Sequence, residues 1–236
     1  MNFFLDSALL GLEYALLAVG VYITFRILNL PDLTVDGSFT FGMAVSTVLC
    51  AAAHPFAGLL AGALAGAAAG VVTGFLQTHC KIHPILAGIL TMSGLCIRAA
   101  GSNEDMVRAS SIDTTAVRWA ALALANALVA LSGAILAQCQ GFGDVGAGSG
   151  MIVIGLASVI IGEVICGRRG IVIGIVSAVL GSVVYRIIIA LALRYNLMSA
   201  NSLKLLSALI VAATLAVPAA AAAVRAGRER KENRVC

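Results

Sequence analysis

The stretch NLPDLTVDGSFTFG, residues 29–42, sets a proline, two aspartates and an Asp-Gly dipeptide between two long apolar runs. Pro31 cannot continue the helix before it, because its ring blocks the preceding turn and it has no N–H to donate. Asp36-Gly37 suits a turn, after which Ser38 is placed to cap the following helix. The run before it, SALLGLEYALLAVGVYITFRILNL, is too long for the apolar part of a signal peptide. It lacks a basic leader and ends in PDLTVDG instead of a small-residue cleavage site, so it reads as a retained helix.

Working outward, the whole chain is apolar. Its 236 residues are 61% hydrophobic and 11% charged, with a mean hydropathy of +1.03. Too little polar surface remains to cover a water-facing core, so an all-α integral membrane protein is expected. Eight apolar segments recur, at 8–28, 39–53, 56–77, 83–98, 116–137, 150–166, 171–193 and 203–224. Crossing a roughly 30 Å hydrocarbon layer takes about 20 helical residues. The second, fourth and sixth segments fall short, and so extend into loops, run through thin protein-lined regions or belong to broken helices.

If all eight segments cross, both termini lie on one side, and basic residues select it. Cytoplasmic termini gather Arg98, Arg108, Arg118, Arg168, Arg169 and the five basic residues of the tail RAGRERKENR on the inner side. Arg26, Lys81, Arg186, Arg194 and Lys204 then belong to the outer side, with Arg26 snorkelling to the headgroups. The tail is ordinarily a cytosolic anchor, and nucleic-acid binding is not expected. On this map residues 29–42 face outward. Irregular backbone at membrane depth must be buried in protein or face a wet cavity, which makes Asp32, Asp36 and Ser38 an external gate or the rim of a path. A plain surface loop is the alternative.

Two further patterns stand out. Gly58, Gly62, Gly66, Gly70 and Gly74 fall every fourth residue in the third segment, a narrow ridge for close helix packing within one subunit or between two. Glu13, Glu163 and Arg186 place charge inside apolar runs, which requires protein partners, a wet path or an interface. They form a structural ion pair, or else contact the substrate directly or control a gate, with Glu163 and Arg186 as the interior controls.

Catalytic signatures are missing from the pattern. His54, His79 and His83 make no HExxH zinc site, Cys80 beside two of them has no supporting carboxylate, and no serine stands in a nucleophile elbow. The six scattered cysteines read as small buried hydrophobes. The glycines of GFGDVGAGSG, residues 141–150, fit neither GxGxxG nor a P-loop. No metal, bound cofactor or catalytic residue is expected.

The segment SNEDMVRASS, residues 102–111, is polar between apolar neighbours, and Ser102 with Asp105 is suited to capping a short helix. In order, NLPDLTVDGSFTFG, KIHPILAGILTMSG, AAGSNEDMVRASSIDTTAVR, GFGDVGAGSGMIVIGLASVIIGE, YRIIIALALRYNL and LKLLSALIVAA resemble the permease subunits of bacterial ATP-binding-cassette importers. The likeness runs from about residue 8 to about residue 224 and is to a smaller branch of the ribose and branched-chain-amino-acid permease superfamily. That family's coupling loop has the pattern G-N-x-x-x-A-R followed by Gly-Ile. Gly101, Asn103 and Ile112 match it, Arg108 and Ala109 stand in reversed order, and Ser111 replaces the glycine.

The resemblance implies a type II importer-like fold of about eight transmembrane or partly re-entrant helices. One permease domain would cover residues 1–225, with a basic cytoplasmic tail at 226–236, in the bacterial inner membrane. It implies a homodimer with a second copy of the permease, a cytoplasmic ATP-binding subunit dimer that alone handles ATP and Mg, and an extracellular substrate-binding lipoprotein. Asn103, Glu104, Met106 and Arg108 would contact the ATPase. The solute is a small molecule, with an amino acid favoured. A noncatalytic scaffold or receptor, or an ion-coupled secondary transporter, is the alternative.

Overall fold

Every regular element among the described residues is helical, the form that satisfies backbone hydrogen bonds within a single segment in a bilayer. The computed structural model of the protein describes residues 3–28, 32, 34–79, 114–144, 146–167 and 170–194. Helix α1 is Phe3–Glu13, and α2 is Ala15–Tyr22 with a π turn at Ile23–Ile27. Then come α3 (Thr34–Ala51), α4 (Pro55–His79), α5 (Thr114–Gln140), α6 (Met151–Cys166) and α7 (Ile171–Arg194). Helices α3, α4, α5 and α7 are long and apolar enough to cross a membrane, and the α1–α2 pair makes a fifth candidate span. The apolar segments 83–98 and 203–224, the polar segment 102–111 and the tail lie outside the described residues.

The first span is bent by 40° between α1 and α2, at Tyr14. Carbonyls beside the bend find hydroxyl donors on neighbouring helices. Ser132 Oγ on α5 donates to Glu13 O at 2.7 Å, and Ser182 Oγ on α7 donates to Gly11 O at 2.9 Å. Side chains of adjacent helices thereby serve backbone groups that a break would leave bare in lipid. The core lies between α2, α3 and α5, where Leu17, Val21, Phe39, Met43, Leu122 and Val129 are buried.

Close approach replaces hydrophobic drive as the packing force, since lipid is as apolar as the helices themselves. The glycine ridge of α4 lies on α5 and α3 of the same chain. A side chain at Gly62 would meet Ala134 Cβ and Gly42 O, one at Gly66 would run into Ala130 Cβ and Asn126 O, and one at Gly70 would strike the Leu122 carbonyl. Gly58 faces Ser46 and Gln138, and Gly74 faces Trp119. Gly162 and Gly181 do the same for α6 and α7, each lying against a backbone carbonyl of the other helix.

These contacts also fix helix directions. Arg194 at the end of α7 lies over the Phe3 ring, 4.9 Å from its centroid, so both belong to one end of the bundle. Arg26, closing the α2 π turn, pairs with Glu163 late in α6. Early α4 meets late α5 at Gly58 and Gln138, while late α4 meets early α5 at Gly74 and Trp119.

Strict alternation of eight crossings is therefore incorrect. The first and sixth segments run parallel instead of opposed, the third and fifth are antiparallel, and Phe3 and Arg194 share an end. The flanking ends of α4 and α5 both lie at the Arg26 end, whereas strict alternation would set them on opposite sides.

The opening stretch departs from expectation as well. Helix α3 begins at Thr34, so Asp36, Gly37 and Ser38 belong to its first turns and form neither a turn nor an N-cap. The physical reason is Asp32. Its Oδ1 accepts the Thr34 N–H at 2.9 Å, giving the helix its polar start two residues earlier and releasing Asp36 and Ser38 for contacts with other helices.

Candidate functional site

The residues assigned to an outer gate separate into two polar contacts, one buried around Asp32 and Ser38 and one partly buried at Asp36. Asp32, at 0% exposure, accepts the Thr34 N–H and hydroxyl on Oδ1 and Asn126 Nδ2–H on Oδ2, the last at 2.9 Å. Asn126 also donates to Leu122 O at 3.1 Å, and its Oδ1 accepts Ser38 Oγ–H at 2.5 Å. Leaving one such buried group unmet costs about 1–3 kcal/mol, so the cluster locks the irregular start of α3 onto α5. Asn126 escaped the sequence reading, although an amide in the apolar run ALALANALVALSG is itself a signal of a polar partner.

Asp36 reaches instead to the glycine-rich segment. Its Oδ2 accepts the Gly150 N–H at 3.0 Å and its Oδ1 the Ile152 N–H at 2.8 Å. These are donors at the start of α6, so a carboxylate on α3 caps α6 from outside and meets the positive end of its dipole. Gly150 adopts a φ of 89°, which an L side chain resists, and Gly148 passes against Thr40 and the Asp36 carbonyl. The glycines thus bring a re-entering chain onto α3 and let the 16-residue α6 start inside the bundle.

At the opposite end of α6, Arg26 grips both oxygens of Glu163, through Nε to Oε1 and through Nη2 to Oε2 at 2.5 Å. The Glu163 side chain is 9% exposed and the Arg26 side chain 33%. A cleft of about 180 Å³ opens beside the pair, lined also by Tyr22, Ile27, Gly167, Gly170, Ile171 and Gly174. Arg26 therefore serves as the partner of Glu163.

Arg186, paired by expectation with an interior acid, has none among the described residues. Glu163 is taken by Arg26, and Glu13 lies beside Cys139. The Arg186 guanidinium instead stacks over the Tyr14 ring at 3.4 Å from its centroid, and Tyr14 in turn stacks with Phe39 at 6.1 Å. Its Nε and Nη2 are buried without a hydrogen-bond partner among the described residues. Cation–π contact offsets part of the desolvation but supplies no acceptor.

The proposed coupling residues Asn103, Glu104, Met106 and Arg108 lie outside the described residues. Of the expected positions, the structure unites Asp32 with Ser38, turns Asp36 toward α6 and keeps Glu163 apart from Arg186.

Comparison with known proteins gives a consistent picture. A family model described as "Branched-chain amino acid transport system / permease component" matches residues 3–96 and 91–218. The chain is 29% identical over 260 residues to a tyrosine transport system permease protein of Clostridioides difficile (strain R20291), covering 87% of this chain and 88% of that one. It is 25% identical over 221 residues to an uncharacterized protein of Rickettsia prowazekii (strain Madrid E), covering 69% and 78%. No solved structure matches.

Proposed function

Because the chain belongs to the family of branched-chain amino acid transport system permease components, we propose that it imports an amino acid as part of an ATP-driven complex. The family match over both halves of the chain carries this reading, and the tyrosine transport permease among its relatives makes tyrosine the first solute to test. Two copies would surround the path, a cytoplasmic ATP-binding subunit would dock beneath each copy and consume ATP and Mg, and an extracellular binding lipoprotein would deliver the solute. The permease contributes no covalent chemistry. Its work is to alternate between two packings, each open to one side.

The coupling contact would be made by Asn103, Glu104, Met106 and Arg108. The ends of α4 and α5 that flank this segment both lie at the Arg26 end, as do Arg118, Gly167 and Gly170, and the sequence sets Arg168 and Arg169 between those two glycines. That concentration of basic residues favours a cytoplasmic position for this end. The amino-terminal end of α1 would then face outward, replacing the expectation that both termini are cytoplasmic. Asp32 and Ser38 would act as an interior latch and Asp36 as the tether of α6, in place of an outer gate.

The test is purification of the tagged chain in mild detergent, followed by reconstitution with the ATPase and lipoprotein it recruits. Stoichiometric ATPase and ATP-dependent tyrosine uptake support the reading. An assembled membrane dimer that recruits no ATPase and takes up solute on an ion gradient contradicts it.

A further inference from the structure

Arg26 and Arg186 present the same edge of the guanidinium differently. Arg26 holds a carboxylate side-on through Nε and Nη2. Arg186 presents the same two donors, buried, with nothing on them. A guanidinium inside an apolar span needs an anion or a full set of acceptors, and among the described residues no carboxylate pairs with Arg186.

The surroundings hold the group ready. The guanidinium carbon lies over the Tyr14 ring, 3.4 Å from its centroid, and Tyr14 is itself backed by Phe39, which holds the group in place. Tyr14 stands at the 40° bend of the first span, where Ser132 and Ser182 already satisfy the nearby carbonyls of Glu13 and Gly11. Those carbonyls therefore have other donors, and the Arg186 edge is left for a partner that comes and goes. Arg186 precedes the end of α7 at Arg194 by eight residues, about 12 Å at about 1.5 Å per residue, so it lies within the span and away from its rim.

We propose that Arg186, stacked on Tyr14, binds the α-carboxylate of the transported amino acid side-on through Nε and Nη2. The inference rests on the amino-acid importer reading and adds to it the residue that recognises the solute inside the permease. A planar fork matches a carboxylate in two parallel hydrogen bonds, which lysine does not reproduce. Both donors are shut off from solvent in the present packing, so the solute reaches them when α7 and the bent first span part during the transport cycle.

The experiment uses the complete complex in proteoliposomes, with tyrosine as solute. Radiolabelled tyrosine binding to the permease–ATPase complex without lipoprotein is competed with unlabelled tyrosine and with tyrosinamide, which lacks the carboxylate. Wild type is expected to discriminate against the amide by about ten-fold or more, and Arg186→Gln to lose that discrimination. Arg186→Gln is also expected to lower uptake by about ten-fold or more per assembled complex, with Arg186→Lys in between.

Equal competition by tyrosine and tyrosinamide in wild type overturns the proposal without requiring any variant to fold. So does uptake by Arg186→Gln that matches wild type per assembled complex. A variant that loses a bound phospholipid or its second copy, while uptake per remaining complex holds, assigns the anion to a lipid phosphate or to the partner copy and overturns it too. Wild type that takes up no amino acid with ATP refutes the importer reading itself, and the solute site falls with it.

Discussion

Arg26 and Glu163 join the ends of two parallel helices, one through the π turn that closes α2 and the other through the last turns of α6. The contact holds α6 at both ends, since Asp36 caps its start. Motion of α6 must break one tie or the other. Glu163→Gln keeps the side-chain shape but removes its charge, and with Arg26 a third exposed the loss should be about 1–2 kcal/mol. The charge-swapped pair Arg26→Glu with Glu163→Arg should recover part of it. Thermal unfolding of the detergent-purified protein measures both, and additive effects of the two single changes would show that the residues are not coupled.

The Asp36 tie is separable from that pair. Asp36→Ala should lower stability by about 0.5–2 kcal/mol through the loss of two capping acceptors at Gly150 and Ile152. Asp36→Asn retains one acceptor oxygen and should cost less. Amide exchange over residues 150–154 gives the local readout. Unchanged protection in Asp36→Ala would mean that another group caps α6.

Much of the helix architecture was legible in the sequence because apolar runs of about 20 residues leave few alternatives to spans. Direction was not, because the contacts that set it, Arg26 with Glu163 and Arg194 with Phe3, join residues far apart in the chain. The 29–42 stretch announced an interruption, but the local rule that places Asp-Gly in turns competed with a tertiary one. Asp36 finds its partners in residues more than a hundred positions away, and Asp32 finds Asn126 on α5. Local pattern carries no signal for such pairings. The glycine ridge was legible as a ridge, while its intrachain partner emerged only from the fold.

Helix orientation in the membrane follows from the shared ends. In a cysteine-free background, Leu5→Cys should react with an impermeant thiol reagent added outside intact cells, since Leu5 is 54% exposed at the start of α1. Arg168→Cys should react only after the membrane is opened. The reverse pattern would place the Arg26 end outside and leave the basic residues on the wrong face for the proposed ATPase contact.

Two glycines separate packing from helix propensity. Among the described residues nothing lies within 4 Å of where a Cβ on Gly37 would stand, so Gly37→Ala should stabilise α3 by about 0.5–1 kcal/mol. Gly66 is the opposite case. An added side chain there runs into Ala130 and the Asn126 carbonyl, and α5 would have to move away together with the Asn126 hydrogen bonds to Asp32 and Ser38. Gly66→Leu should therefore reduce folded yield even when the chain is held as a monomer, with a cost of about 1–3 kcal/mol or more. Fluorescence-detected size exclusion and thermal unfolding in detergent distinguish the two substitutions. A Gly66→Leu chain with wild-type monomer yield and melting would mean that α4 does not lie on α5 at its midpoint.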